Sequence, residues 1–212
     1  MLPTHVCKLV CALSLLLSNG LSSAAILQED FESFSDGDVI TTEVAGLTFQ
    51  NASILSAGVS LNEFEFPPNS GSNVVVDDGG PISIIFDSPV SAFSGYFTYL
   101  TQLTLEAFDT NSNLLATVLS DFVTNPAVSG DAGSSPNEFL SISSSTGIAR
   151  VAISGDPSGF SFVMDDLTVS SREYGNTVPE PGMLPLFFLG AIAASMAIKR
   201  KKSTLASNVA VS

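Results

Sequence analysis

From Leu47 to Val169 the chain is a succession of short apolar or alternating runs with turn residues between them. Leu47-Thr48-Phe49, Ile82-Ser83-Ile84-Ile85-Phe86 and Gly95-Tyr96-Phe97-Thr98-Tyr99 come first. Leu103 to Phe108, Leu114 to Leu119, Phe139 to Ile142, Ile148 to Ile153 and Phe160 to Val169 follow. β-formers dominate these runs, and apolar positions return with period two rather than 3.6, which predicts strands. Turn chemistry separates them at Asp77-Asp78-Gly79-Gly80-Pro81, Asp109-Thr110-Asn111-Ser112-Asn113 and Gly155-Asp156-Pro157-Ser158-Gly159. Asn125 to Pro136 is polar and rich in Gly, Ser and Pro, which predicts a long surface loop. No stretch before Gly182 has the stripe of a long amphipathic helix, and there is no internal repeat. About eight to ten short strands in one domain predict an all-β fold, a jelly-roll-type β-sandwich over residues 26–171.

The two ends follow a different pattern. His5 and Lys8 precede the apolar run Leu9 to Leu17, and Ser22-Ser23-Ala24-Ala25 supplies small residues. This predicts a secretory signal peptide over residues 1–25, with cleavage after Ala24 or Ala25 both satisfying the small-x-small rule. An N-terminal membrane anchor is the other reading; Cys11 has no lipobox before it. At the far end, a linker over 172–181 leads into an apolar run of 17 residues, Gly182 to Ile198. Lys199-Arg200-Lys201-Lys202 closes it with four of the seven basic residues. An apolar span stopped by cations predicts a transmembrane helix over 182–198 and a basic cytoplasmic tail over 199–212. A eukaryotic lipid-anchor signal should instead end in apolar residues, and the basic cluster interrupts that pattern.

Composition narrows the chemistry between these ends. Both cysteines (Cys7, Cys11) and the only histidine (His5) lie in the predicted signal peptide, and tryptophan is absent. Disulfides, thiolate or imidazole metal sites, and Ser-His-Asp or Cys-His catalysis are thereby excluded from the remainder. Residues 26–178 hold 20 acidic residues against Arg150 and Arg172. Such a surface repels phosphate backbones, which excludes nucleic acid as a partner. A glycoside hydrolase needs only two carboxylates, but none here sits in a recognisable motif, and there is no tryptophan for sugar stacking. Tyr96, Phe97, Tyr99 and Tyr174 are the aromatic candidates for a sugar site, set against the usual core role of strand aromatics. Asp77-Asp78 before Gly79-Gly80 is expected to be a turn.

The tail, Val178-Pro179-Glu180-Pro181 followed by the apolar run and the basic cluster, resembles the PEP-CTERM sorting signal of exopolysaccharide-producing Gram-negative bacteria. The cluster here is mostly lysine where arginine is commoner, and Ser203 to Ser212 follow it. The resemblance implies recognition and cleavage by exosortase, a membrane peptidase. The preceding domain resembles β-sandwich modules of the galactose-binding-like and carbohydrate-binding kind. It does so through Asp30-Phe31-Glu32 with Phe34 and Gly37, Leu105-Glu106-Ala107-Phe108-Asp109 followed by Asn113-Leu114-Leu115, and Phe162-Val163-Met164-Asp165-Asp166-Leu167. In several such modules a first-strand glutamate and a last-strand aspartate bind calcium, which implies Glu32 with Asp165 or Asp166. Pairing of first and last strands would bring these carboxylates together, and calcium takes six to eight oxygens. A solvated turn or edge is the other reading of Asp165 and Asp166. The expected function is that of an exported, non-enzymatic structural or adhesive component of the envelope or exopolysaccharide matrix. A calcium-stabilised lectin-like module is the alternative.

Overall fold

The computed structural model describes residues 26–171. The expected signal peptide, Tyr174, the Val178 to Pro181 motif, the membrane helix and the Lys199 to Lys202 cluster lie outside the described residues. Within them no helix is long and apolar enough to cross a membrane.

The described chain is all-β, with nine strands: β1 (Ile26–Glu29), β2 (Leu47–Gln50), β3 (Ala52–Ser56), β4 (Asn73–Asp77), β5 (Ile82–Tyr99), β6 (Thr104–Phe108), β7 (Leu114–Leu119), β8 (Glu138–Ser154) and β9 (Phe162–Ser171). All pair antiparallel in one hydrogen-bonded sheet of order β3-β4-β9-β5-β8-β6-β7, with β1 on β9 and β2 on β5. Six of the expected runs fall in pairs or singly inside β5, β6, β7 and β8, because β5 joins Ile82–Phe86 to Gly95–Tyr99 and β8 joins Phe139–Ile142 to Ile148–Ile153. The N-terminal half of β5 pairs with β2 and the C-terminal half of β8, whereas its C-terminal half pairs with the start of β8 and with β9.

Bulges make this folding-over work. In β5 the buried residues are even-numbered before the irregularity (Ile82, Ile84, Phe86) and odd-numbered after it (Phe93, Phe97, Tyr99). In β8 the buried set passes from Leu140 and Ile142 to Val151 and Ile153. A strand of strict period two would turn one half outward, and an inserted residue corrects the facing. Both halves therefore contribute to one core, together with Phe31, Phe49, Leu105, Phe162 and Met164. Burying each of these large side chains contributes about 1.5–3 kcal/mol. The arrangement is consistent with a β-sandwich, whose two inner faces share one core.

β4 is buried along its whole length because it is covered twice. Val75 faces the main core, while Val74 and Val76 join Val163 and Leu61 in a second cluster capped by Leu55, Ala57 and Phe66. The expected turn at Asp77-Asp78 holds only in part. Asp77 is the last residue of β4 and fully buried; its Oδ1 accepts the Ser161 and Phe162 amides at 2.7 and 3.0 Å, and its Oδ2 accepts the Ser161 hydroxyl at 2.7 Å. The sequence pattern showed a small polar residue before glycine, whereas the fold uses it to tie β4 to the start of β9. The expected loop at 125–136 is present, and the buried Asn125 pins it by accepting from the Tyr99 amide at 2.7 Å and donating to the Phe97 and Ser135 carbonyls.

Candidate functional site

On β5, the residues that alternate with the core-facing Phe97 and Tyr99 look the other way. Tyr96 is one of them, half-buried, and its direct partner across the β5–β8 ladder is Phe139, 56% exposed. Their ring centroids lie 5.3 Å apart with planes tilted by 57°. Such a cross-strand aromatic pair holds both rings in place without covering them. Of the aromatic candidates, Phe97 and Tyr99 are fully buried, so the alternation assigns them to the core. The Tyr99 hydroxyl donates to Glu138, and burial first, with that carboxylate second, pushes its pKa up to about 12.

The aromatic pair forms one wall of a groove of about 650 Å³. Asp166, Leu167 and Thr168 of β9, Gln28 and Glu29 of β1, and Asp30, Ser33 and Asn69 line the rest of it; Gln28 and Thr168 share the outer face with Tyr96, whereas Leu167 is buried in the core. β1 is placed there by its register with β9, Gln28 opposite Thr168 and Glu29 opposite Leu167. Neither β1 nor Phe139 carries a motif in the sequence, and the pairing of Tyr96 with a residue 43 positions later is a product of topology.

A bulge shapes the groove at its centre. Between the pairs Ser94–Thr168 and Tyr96–Asp165, β9 carries one residue more than β5, and Asp166 there adopts φ +48°. Asp and Asn tolerate this conformation better than branched residues do. Asp165, opposite Tyr96 on the outer face, is buried beneath the loop at Asn69 and Ser70, 1% exposed, and Asp166 lines the groove. Asp165 Oδ2 accepts the amides of Asn69 and Ser70 at 2.7 and 2.9 Å. Asp166 accepts the Asn69 side-chain amide at 2.6 Å and the Ser70 hydroxyl at 2.7 Å. Burial pushes the Asp165 carboxyl up to about 6, the Ser70 amide opposing and the Asp166 charge reinforcing the rise.

Glu32 grips the same loop further on. It accepts the Ser72 and Asn73 amides at 2.8 and 2.7 Å and the Ser72 hydroxyl at 3.1 Å. Desolvation raises its pKa, but the Asn73 and Ser72 donors outweigh it and hold the carboxyl below its ordinary value. Gly71, with φ +54°, lets the backbone wrap this carboxylate, since a Cβ there would collide with it.

The structure brings Glu32, Asp165 and Asp166, the residues expected to hold calcium, to one loop, residues 69–73. Among the described residues no group of three or more His, Cys, Asp or Glu is placed to hold a metal ion. The three carboxylates take N–H and O–H donors from residues 69–73 instead, Glu32 gripping one end of that loop and the aspartates the other. Amide donors here stabilise the charges that a cation would otherwise have to balance.

No protein-family model and no curated protein sequence matches the chain. Among solved structures it is similar to the K2 cleaved adhesin domain of Lys-gingipain, at 15% identity and TM-score 0.44, over 68% of this chain and 99% of that one. The K1 cleaved adhesin domain of Lys-gingipain from Porphyromonas gingivalis W83 matches at 12% identity and TM-score 0.42, over 70% and 99%. A family 29 carbohydrate-binding module matches at 8% identity and TM-score 0.36, over 70% and 90%. These likenesses are too loose to fix a family or a ligand. The chemistry of the groove rests on its own residues.

Proposed function

We propose that this is an exported, non-enzymatic β-sandwich of jelly-roll type that binds carbohydrate through the groove on its β8-β5-β9-β1 face. The observation that carries the reading is the Tyr96–Phe139 pair, held across two strands yet open to solvent, beside the polar side chains of Gln28, Asn69, Asp166 and Thr168. A sugar ring has an apolar C–H face and a polar hydroxyl rim. An aromatic wall with convergent amide, hydroxyl and carboxylate groups meets both needs, and the groove is large enough for a short oligosaccharide.

Hydrolysis is the weaker use of the same face. A glycosidase needs a carboxylic acid that keeps its proton and reaches the glycosidic oxygen. Asp165, pushed up to about 6, is the proton-holding carboxyl nearest the groove, but it is buried and its oxygens are taken by the amides of Asn69, Ser70 and Asp166.

The role that follows is adhesive or structural, with the producer's own exopolysaccharide as the partner. The tail pattern Val178-Pro179-Glu180-Pro181, the apolar run and Lys199 to Lys202 support delivery by a membrane anchor and an exosortase-type peptidase. A glycan array tests the function. Wild type is expected to bind at least one polysaccharide class, and Tyr96→Ala or Phe139→Ala to weaken binding by about tenfold to a hundredfold, the range of losing one aromatic anchor. Unchanged binding in both variants would move the site elsewhere. Release of reducing ends from bound glycan would overturn the non-enzymatic reading. Intact-mass measurement with and without the peptidase tests the sorting: a C-terminus near Val178 to Glu180 is expected only in its presence.

A further inference from the structure

We propose that the open edge of β7 is a docking site for β7 of a second copy of this chain, the two strands adding antiparallel to close a two-fold dimer.

The edges of this sheet are treated unequally. β3 is covered by residues 37–40: the Gly37 and Ile40 amides donate to the Ile54 and Ala52 carbonyls, and the Ile54 amide donates back to the Asp38 carbonyl. β2 is met by Thr41, whose carbonyl accepts the Phe49 amide at 2.7 Å. β1 is four residues long and ends in Glu29. β7 ends the sheet order and pairs with β6 alone, and no amide or carbonyl of Leu114 to Leu119 bonds to a described residue outside that ladder. Its sequence, Leu114-Leu115-Ala116-Thr117-Val118-Leu119, holds no charge and no proline, the usual devices that keep an edge from pairing.

The core is also unfinished at this edge. Ala116 and Val118 lie opposite Ala107 and Leu105, both fully buried, so they face the core, yet they are only half-buried themselves. The Ser120 amide donates to the Leu103 carbonyl at 3.0 Å. Hydrogen-bonded pairs alternate along an antiparallel ladder, so Val118 and Ala116 turn their backbone groups to β6, while Thr117 and Leu119 turn theirs to the open edge.

Those outward groups suit a second β7. With the two-fold axis at Val118, Thr117 of each copy pairs with Leu119 of the other, and all four outward residues find backbone partners. On the core side Val118 meets its counterpart and Ala116 meets Ser120, so each copy supplies the cover that the other lacks. Asp121 falls opposite Leu115, and no carboxylate opposes another along the pair. The two Glu106 side chains, beside Thr117 on β6, stand three strand spacings apart, about 14 Å or more, beyond a Debye length at physiological salt. Both copies use the same edge at once, so assembly closes at two. A two-fold normal to the sheet turns the same face of both copies the same way. Two grooves would then meet one polymer, a consequence that alone rests on the carbohydrate reading.

Sedimentation velocity of the full chain in detergent, across the micromolar range suited to so small an interface, tests the dimer. Wild type is expected to pass from monomer to dimer and no further. Thr117→Pro removes an amide that points away from β6, so the ladder stays whole, and the variant is expected to remain monomeric. Thr117→Val keeps the amide and is expected to dimerise as wild type does. Site-specific cross-linking gives a readout that does not depend on proline. With Cys7 and Cys11 replaced by Ser, Val118→Cys stands on the axis, where non-hydrogen-bonded partners lie about 4.5 Å apart between Cα atoms, within disulfide reach. Mild oxidation should link Val118→Cys into a dimer and leave Glu106→Cys, one strand further in, as monomer. A monomer at every concentration, a dimer that persists in Thr117→Pro, or growth past two copies would overturn the proposal. So would equal cross-linking at the two positions. Capture of a different protein that Thr117→Pro releases, with the chain itself monomeric, would give the edge to a foreign strand and overturn the second copy as its occupant.

Discussion

Two Asp-Asp pairs sit on strands that pair with each other, one at the end of β4 and one within β9, and they are built alike. The first aspartate of each is buried, Asp77 at 0% and Asp165 at 1% exposure, and fills its lone pairs with backbone amides from a loop. The second is more exposed and accepts side-chain hydroxyls: Asp78 takes Ser53 at 2.6 Å and Asp166 takes Ser70 at 2.7 Å. What differs is the surroundings. Asp77 ties the end of β4 to the start of β9, and Asp78 takes Ser53 of β3. Asp165-Asp166 sits on a bulge beside β1, so the same clamp also edges a groove. Identical dipeptides thus acquire different uses from their neighbours across the sheet, and a substitution series can separate clamp from groove.

The largest expected effect is at Asp77. Asp77→Ala strands the Ser161 and Phe162 amides in a dry site and should cost about 3–5 kcal/mol, as loss of a buried charged partner does. For a domain of this size that lowers Tm by about 10 °C. Chemical denaturation of the variant checks it, and the comparison breaks if Asp77→Ala costs no more than Asp78→Ala.

Next comes the pH dependence of Asp165. Its carboxyl titrates at about 6 in the fold against an ordinary 3.8. Between those values the folded protein holds a proton that the unfolded chain has released, so stability falls as pH rises through this window and is flat above it. At 1.36 kcal/mol per unit the fall is about 3 kcal/mol. Burial raises Asp77 as well, so its contribution has the same sign. Glu32, Glu43 and Asp109 are lowered by their hydrogen bonds and act oppositely, losing stability only as pH drops below their ordinary values of 4.5 and 3.8. Urea denaturation from pH 4.5 to 7 should show wild type gaining stability toward acid, with Asp165→Asn removing most of the slope whatever its absolute stability. An unchanged slope would mean that Asp165 does not carry the buried charge.

What could be read from the sequence divides along the same line between local and long-range causes. Period-two alternation gave Leu47–Phe49, the two halves of β5, β6, β7, both halves of β8, and most of β9, because each has one face on the core and one toward solvent. It missed β4, whose Val74-Val75-Val76 does not alternate because both faces are covered, although a run of three valines is itself a sign of a doubly buried strand. It missed β1 and β3, four and five residues long, whose positions come from partners far along the chain. Tyr96 was visible as a candidate only as one of four aromatics, with Phe97, Tyr99 and Tyr174, and burial separates it from Phe97 and Tyr99. Phe139 and Gln28 were not, since only the β8-β5-β9-β1 register brings them to one face. The aspartates were visible as chemistry but their loop partners were not, because a carboxylate's partner can equally be a cation or a loop's amides, and sequence spacing does not distinguish the two.

The smallest effect is the most direct test of that distinction. Asp78 makes one side-chain hydrogen bond, from Ser53. Asp78→Ala should cost about 0.5–1.5 kcal/mol, the net worth of a partly solvated bond. Asp166→Ala loses two such bonds, from Asn69 and Ser70, and should cost about twice that by the same accounting. The pair diverges in binding. Asp78 does not line the groove, so Asp78→Ala should leave glycan affinity unchanged, while Asp166→Ala removes a charge from the groove and frees the Asn69 side chain at its rim. Stability and affinity measured on both variants therefore give two numbers each. If Asp166→Ala lowers stability but not affinity, the two Asp-Asp pairs are clamps of one kind and the groove does not use its bulge; if affinity falls with it, the bulge on β9 is what turns a structural clamp into part of a binding site.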